Sequence, residues 1–492
     1  MHDLIRQLRM NFSHLDGIPL WFVGLIVLSC SGFVLSQSMI FLGIPFVVLG
    51  AMLVLQDVRK VYLLLYLTVP LSYEVYFSFG LGTDFPTEQF MWILTGIGVL
   101  LFAANWRSIP AIYMIHPISM LLIVMLAWIA LSAFFSQNVV HSVKYLLAKT
   151  WYIIAMYFMA LYFLKSKTDI KQVFKYLFAG FIFSVVVVFA RHLLDGLTYD
   201  TINFVLWPFY RNHVSYASMI AVCLPFFFWY ANNQKQPIDR LIFRVLFFFL
   251  LCALYFTYTR AAILASVMCI PFYFIIKFKL FKPVFVSVIL LLGVGAASMV
   301  KKYNYLNYAP NYTTTIQHQN FDDVLSATYR LEDLSTMERF YRWVAGYHMI
   351  MDRPMLGFGP ANFYNYYKSY TVKAFTTYVS DNEDQSGIHN YYLMLLVEQG
   401  VPGLLVFLVL VYVSMCMGQR LYHRLQDPFE KSLVLAALGS LFIALTISFM
   451  NDMLETDKVG ALFFLSLAIL VRATILLRNR EEISLKEVNQ NI

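Results

Sequence analysis

Three side chains capable of polar chemistry stand where an otherwise apolar chain turns polar. Arg211 lies in Trp-Pro-Phe-Tyr-Arg-Asn-His, just ahead of an apolar run. Arg260 lies in Tyr-Thr-Arg-Ala-Ala, in a tight turn between two such runs, and His389 opens a third in Ile-His-Asn-Tyr-Tyr-Leu. A guanidinium stays charged at any relevant pH, and its planar donor fork suits phosphate oxygens. Two of them can neutralise a diphosphate leaving group without a metal. An imidazole titrates at about 6.5, which suits it to take a proton from a sugar hydroxyl. Each residue also has a plainer reading. Arg211 fits a side chain snorkelling to headgroups. Arg260 fits a charge capping the carbonyl end of the preceding helix, and His389 an interfacial histidine bonded to a carbonyl.

Arg339 and Arg342 form a second tier, read either as a solvated helix face or as contacts to phosphate or sugar. His213 is weaker, since it falls at the edge of a span. Glu398 is nine residues beyond His389, too far along one helix to touch it, and reads as structural near Gly400. Tyr364, Tyr366, Tyr367 and Tyr370 are too closely spaced for one helix face; they suit either a loop core or stacking on sugar rings. No metal site is expected. Asp322-Asp323 is an isolated acidic pair, and Glu74, Asp84 and Glu88 are spread out and read as solvated charge. The rival they represent is a metal-dependent transferase with acidic ligands in an outer loop.

These residues need a frame, and composition says what kind. The chain of 492 residues is 60% hydrophobic and 13% charged, against about 25% charged in a soluble domain. Apolar runs of about 20 residues recur, so the expectation is an all-α, polytopic transmembrane helical bundle of about 12–14 spans with one long, partly helical loop. Span centres fall near Leu25, Val47, Tyr66, Leu94, Met125, Met156, Phe183, Leu224, Leu250, Met268, Val288, Phe407, Phe442 and Leu467. Tyr66 marks the weakest, because Pro70 and Glu74 interrupt it. The first run follows Arg6 and Arg9 and reads as a signal anchor.

The net charge of +8 does not point to nucleic acid, because the basic residues sit in short inter-helix loops. Most of the 36 lysines and arginines fall in alternate loops, including Arg59-Lys60, Lys165 to Lys175 and Lys277 to Lys282. That asymmetry puts both termini in the cytoplasm and the long loop outside. The organisation expected is transmembrane helices over 1–299, the outer loop over 300–389, further transmembrane helices over 390–480 and a cytoplasmic tail over 481–492. Cys30, Cys223, Cys252, Cys269 and Cys416 lie in or at the ends of apolar runs without metal spacing, which argues against a disulfide framework or zinc site.

Within the loop, Ser335 and Glu338 have capping-box spacing, predicting a helix over 336–352 that stops before Pro354. Phe340, Val344, Tyr347 and Met351 are its expected buried face, with Arg339 and Arg342 on a neighbouring one. Gly357-Phe-Gly-Pro360 reads as a tight turn.

The order of these motifs resembles the O-antigen ligase/O-antigen polymerase superfamily. The residues that carry the likeness are Arg339/Arg342-Trp343, Asp352-Arg-Pro-Met-Leu-Gly-Phe-Gly-Pro-Ala-Asn-Phe363, His389-Asn-Tyr-Tyr-Leu393 and Glu398-Gln-Gly-Val-Pro-Gly403. Arg211-Asn212 and Thr259-Arg260-Ala-Ala262 are similar to that family's two earlier signatures. The resemblance implies an inverting, metal-independent glycosyltransferase without cofactors in the bacterial inner membrane. Its donor would be a glycan on undecaprenyl diphosphate, taken from the periplasmic side of the bilayer. In the ligase branch the acceptor is the lipid A core. By that likeness Arg211 and Arg260 bind diphosphate, His389 is catalytic, and Arg339 or Arg342 contacts donor or acceptor. The alternatives are a repeat-unit polymerase, a protein O-oligosaccharyltransferase and a lipid-linked sugar transporter.

Overall fold

An apolar run of about 20 residues in lipid must satisfy its own backbone, and a helix does so within one segment. The protein, here a computed structural model, is described over residues 57–76, 82–105, 107, 109–308, 334–377, 380 and 387–490, with 24, 27–29 and 31. Among the described residues, ten helices are long and apolar enough to cross a membrane. The spans expected around Leu25 and Val47 fall largely outside the described residues.

The main helices are α1 (Val58–Thr68), α2 (Thr87–Asn105), α3 (Pro117–Phe134), α4 (Val139–Tyr152), α5 (Lys167–Leu194), α6 (His213–Asn232) and α7 (Pro237–Tyr255). They continue as α8 (Arg260–Lys277), α9 (Phe281–Val300), α10 (Leu334–Asp352), α11 (Tyr391–Arg424), α12 (Pro428–Ile447) and α13 (Asp457–Gln490). A π-helical turn at Ile153–Phe158 extends α4, so that one span runs Val139–Phe163. Two expected spans fall short. The span at Tyr66 corresponds to α1, which has 11 residues and gives way to a 3-10 turn containing Pro70. The one at Leu250 is α7, whose first half carries Asp239, Arg240 and Arg244.

Helices α6, α12 and α13 form the centre, with 78, 72 and 83% of their apolar windows buried, whereas the window of α9 is 0% buried and faces outward. Helix α12 contacts α6, α8, α11 and α13. Gly439 of α12 makes this possible, since a Cβ there would lie 3.2 Å from Pro225 and from Cys269. Phe272 of α8 stacks on Phe442 of α12 at 4.2 Å. Arg472 of α13 donates to Glu430 of α12 (2.8 Å) and to the Leu164 carbonyl (2.6 Å), which pairs a charge that would otherwise be stranded in the bundle.

Strand β1 (Tyr73–Tyr76) pairs antiparallel with β2 (Gly82–Phe85), setting Glu74 opposite Asp84. This hairpin corrects the reading of Asp84 and Glu88 as scattered solvated charge, since both are half-buried, while Glu74 is exposed as expected. Glu88 accepts hydrogen bonds from the Thr83 hydroxyl (2.5 Å) and the Asp84 amide (3.3 Å). Burial, then the charge of Asp457, pushes the Asp84 carboxyl up to about 8. Among the described residues, no group of three or more His, Cys, Asp or Glu is placed to hold a metal ion.

Candidate active site

The N-termini of α6, α8, α11 and α13 carry or adjoin the candidate residues. Asn212 caps α6 through the Ser215 amide (2.9 Å), which leaves Arg211 exposed one residue before the cap. His213 is the first residue of α6, at the span edge where it was expected. Its carbonyl accepts from the Thr259 hydroxyl (3.3 Å), so the turn carrying Arg211 is tied to the one carrying Arg260. Arg260 itself is the first residue of α8 and is half-buried.

The loop helix α10 supplies the opposite wall. The indole Nε1 of Trp343 donates to the Ile388 carbonyl (3.1 Å), and a Cβ on Gly346 would sit 2.7 Å from the Ile388 Cδ1. The buried face of α10 is rotated from the expected one. Met337, Tyr341, Val344, Ala345 and Met349 are buried, while Met351 is exposed. Arg342 is also buried rather than solvated, and lies 3.4 Å from Glu338. The rotation follows from polar contacts that an apolar periodicity cannot register. Glu338 accepts from the hydroxyls of Thr377 and of Ser380 (2.6 Å) and so draws its own face inward. Glu338 therefore does not serve as the acid of a capping box, and the helix begins at Leu334, ahead of Ser335. Arg339 is half-buried, and its charge is felt at both His213 and His389.

His389 sits between these walls. Its φ of 55° is a left-handed backbone that few non-glycine residues adopt. Its Nδ1 is buried and has no hydrogen-bond partner, so the carbonyl-bonded interfacial histidine is not what Nδ1 forms. Burial, then the charges of Arg339 and Arg342, lowers its pKa from the usual 6.5 to about 3. The imidazole is thus neutral at any physiological pH, with a ring nitrogen unoccupied.

The loop between α12 and α13 closes the arrangement. A Cβ on Gly387 would lie 2.8 Å from Asp452 Oδ2, which places that carboxylate against the backbone two residues from His389. Burial, then Glu455, raises the pKa of Asp452, and Arg211 opposes the shift. Asp452 therefore lies within electrostatic reach of Arg211 while touching the segment that carries His389. The Thr259–His213 hydrogen bond thus ties the turns of Arg260 and Arg211, Asp452 lies against Gly387 within electrostatic reach of Arg211, and the charges of Arg339 and Arg342 act on His389.

The rest of the Gly-Phe-Gly-Pro motif is scaffold. Gly357 (φ 66°) and Gly359 (φ 96°) form the expected tight turn. The amides of Phe358 and Gly359 donate to the Val397 and Glu398 carbonyls, both at 2.9 Å. Glu398 receives the amides of Ala361 (2.9 Å) and Phe363 (3.1 Å), which is the structural role its position suggested. Asn362 reaches Ser136 (2.8 Å) on the α3–α4 connection and Ser142 (3.0 Å) in the first turn of α4. The tyrosine cluster packs a loop core: Tyr367 is fully buried and stacks on Phe363, and Tyr370 donates to Asp352 (2.6 Å). The segments 309–333 and 381–386, which include Asp322-Asp323, lie outside the described residues.

Sequence reasoning passed over Lys149, Asp452 and Glu455. Lys149 carried a signal, being a lone cation within an apolar span. The two acids carried none, since they sit in a short loop among other polar residues.

The family model described as O-antigen ligase matches residues 245–408, one third of the chain. This supports an O-antigen ligase-related membrane protein with glycosyl-transferring activity of the ligase or polymerase type. The matched segment contains Arg260, Arg339, Arg342, His389 and Glu398, while Arg211, Lys149, Asp452 and Glu455 fall outside it. No curated protein matches the chain.

Proposed function

We propose that the chain is an O-antigen ligase-type glycosyltransferase of the bacterial inner membrane. It moves a glycan from undecaprenyl diphosphate to a hydroxyl of the lipid A core, with the 300–389 loop in the periplasm. The observation that carries this reading is the buried, unpartnered Nδ1 of His389 beside Arg339 and Arg342, at the same end of the bundle as Arg211 and Arg260.

In this reading Arg211 and Arg260 hold the donor diphosphate. The acceptor oxygen forms a bond to the anomeric carbon from the face opposite the diphosphate, inverting it. The carbon–oxygen bond to phosphate breaks, and undecaprenyl diphosphate leaves with the electron pair. His389 takes the hydroxyl proton. A pKa lowered to about 3 makes the imidazole a poor base, because proton transfer works best with a pKa near the operating pH. The donor counters part of this: a diphosphate held by Arg211 and Arg260 brings negative charge to this end of the bundle and offsets the positive field of Arg339 and Arg342 that, after burial, depresses the histidine. The base gains strength once the donor is seated.

The test is transfer from a purified lipid-linked glycan to lipid A core. His389→Ala and Arg260→Ala should each lower the rate by about 100-fold or more, the scale of losing a general base or a preorganised charge. Chelation by EDTA should leave the rate unchanged. Full transfer by either variant at normal expression overturns the mechanism, and a divalent-metal requirement overturns its metal-independent form. A deletion strain that accumulates carrier-linked glycan supports a ligase. One that retains single capped repeat units assigns the chain to the polymerase branch instead.

A further inference from the structure

Lys149, buried within a span, and Glu455, whose side chain is 24% exposed, form an ionic pair outside the segment matched by the family. Lys149 is 5% exposed within a span, and its Nζ lies 2.9 Å from Glu455 Oε2. The Tyr145 hydroxyl donates to Glu455 Oε1 (2.9 Å), and Tyr391 interacts with the same carboxylate. The Lys149 ammonium also stands 5.5 Å from the Tyr145 ring and 5.9 Å from the Tyr391 ring. One carboxylate therefore gathers α4, the first residue of α11 and the α12–α13 loop.

Tyr391 is two residues from His389, and the residues flanking His389 are each tied by a hydrogen bond. Ile388 is held through its carbonyl by Trp343, Asn390 caps α11 through the Leu393 amide (3.0 Å), and the Tyr391 amide donates to the Ser448 carbonyl (2.9 Å). His389 in the middle keeps a left-handed backbone, a conformation costing about 1–3 kcal/mol that persists only where its surroundings over-determine it. The Glu455 knot is the one anchor in this set that involves a buried charge. An ion pair carried into an apolar span for packing alone gives little net stability, because desolvation offsets the attraction.

We propose that Lys149 and Glu455 are positioning residues for glycosyl transfer: through Tyr391 they hold the His389 imidazole at the angle from which it meets the acceptor hydroxyl. This rests on His389 being the base. It adds that the placement of the ring is set by a pair of residues on two other elements. The Asp452 carboxylate, one turn before Glu455, touches the same segment from the Arg211 side, so the knot also fixes the spacing between diphosphate and base.

The experiment separates placement from stability by replacing both partners. An ion pair exchanged for apolar groups of similar volume is commonly close to neutral, so Lys149→Met/Glu455→Leu should fold, its Tm lowered only by the loss of the Tyr145 hydrogen bond to Glu455. Its kcat should fall by about ten-fold or more, since misplacement by about 1 Å can cost ~100-fold, while KM for the lipid-linked donor stays within about two-fold. The His389 ring signal in ¹⁵N-histidine-labelled protein, assigned by its loss in His389→Ala, should shift or broaden. Lys149→Arg, which keeps the ion pair, should recover most of kcat. A double variant with wild-type kcat and an unmoved ring signal overturns the proposal, as does a rate loss that merely follows loss of folded protein. Those outcomes leave the base assignment intact. That assignment fails only if His389→Ala retains transfer.

Discussion

His389 concentrates three properties that rarely coincide in one side chain: a left-handed backbone, a buried ring nitrogen without a partner, and a pKa held near 3 by burial and then by Arg339 and Arg342. The pH consequences follow with definite signs. The unfolded chain protonates this histidine below about 6.5, whereas the folded one does not until about 3. Between those values the unfolded state binds more protons, so stability falls as pH drops through that window and recovers as it rises. His389→Gln removes one such group, and a urea-melt series from pH 7 to 4 should therefore show a shallower acid loss than the wild type. Catalysis should show the complementary pattern. The pH profile of kcat/KM reports the free enzyme, so its His389 limb should lie well below pH 6; kcat reports the donor complex, and its limb should lie higher. Coincident limbs near 6.5 in both profiles would remove donor-dependent basicity. The charge pattern displayed Arg211, Arg260 and His389 because each is an exception in its surroundings. Of the two readings of Arg342, burial removes the solvated face, because Glu338, Thr377 and Ser380 draw that side of the helix inward through hydrogen bonds that an apolar periodicity cannot register.

Among the elements, the junction of the loop with α11 is the most tightly specified. Gly400 breaks α11 with φ 70° and ψ −175°, and a Cβ there would meet the Met355 carbonyl oxygen at 2.1 Å. That backbone region is essentially restricted to glycine, and the Val401 amide uses it to reach the Pro354 carbonyl (2.8 Å). Gly400→Ala should therefore destabilise the protein by about 1–3 kcal/mol and loosen the Gly357–Gly359 turn that Glu398 holds. Gly293→Ala on α9, where nothing lies within 4 Å, is the matched control; it should leave the melting temperature unchanged or raise it. Equal losses in the two variants would remove the clasp as the cause. This junction was legible in outline, since glycine and proline punctuate the sequence at 354–360 and 400–403. Its purpose was not, because the partners of Glu398 and Asn362 come from segments 35 and more than 200 residues away. The hairpin at Tyr73–Phe85 went unread for a related reason: two four-residue strands give no periodic signal against an apolar background.

At the scale of the whole molecule, helix length and direction tie these residues to one side of a bilayer. Helix α6 has 20 residues and spans about 30 Å at 1.5 Å per residue, the thickness of a hydrocarbon core. It begins beside Arg211 and ends at Asn232, so the Lys235 loop lies one membrane thickness away from the candidate site. At that far end Lys167 pairs with Asp427, and Lys171 donates to the Asn233 carbonyl (2.6 Å), which collects the basic loops on one face. The positive-inside bias makes that face the expected cytoplasmic one, and the proposed transferase needs the site to open outward, where lipid-linked glycan would be presented. The exposed positions Lys373, in the loop, and Lys235 turn this into a measurement. In a chain with its native cysteines replaced, Lys373→Cys in intact cells should react with a membrane-impermeant maleimide. Lys235→Cys should react only after the membrane is opened. Labelling of both from the same side would contradict the fold itself. Reversed labelling would keep the fold and abolish the outward-facing transferase, because His389, Arg211 and Arg260 would then meet the cytoplasmic leaflet.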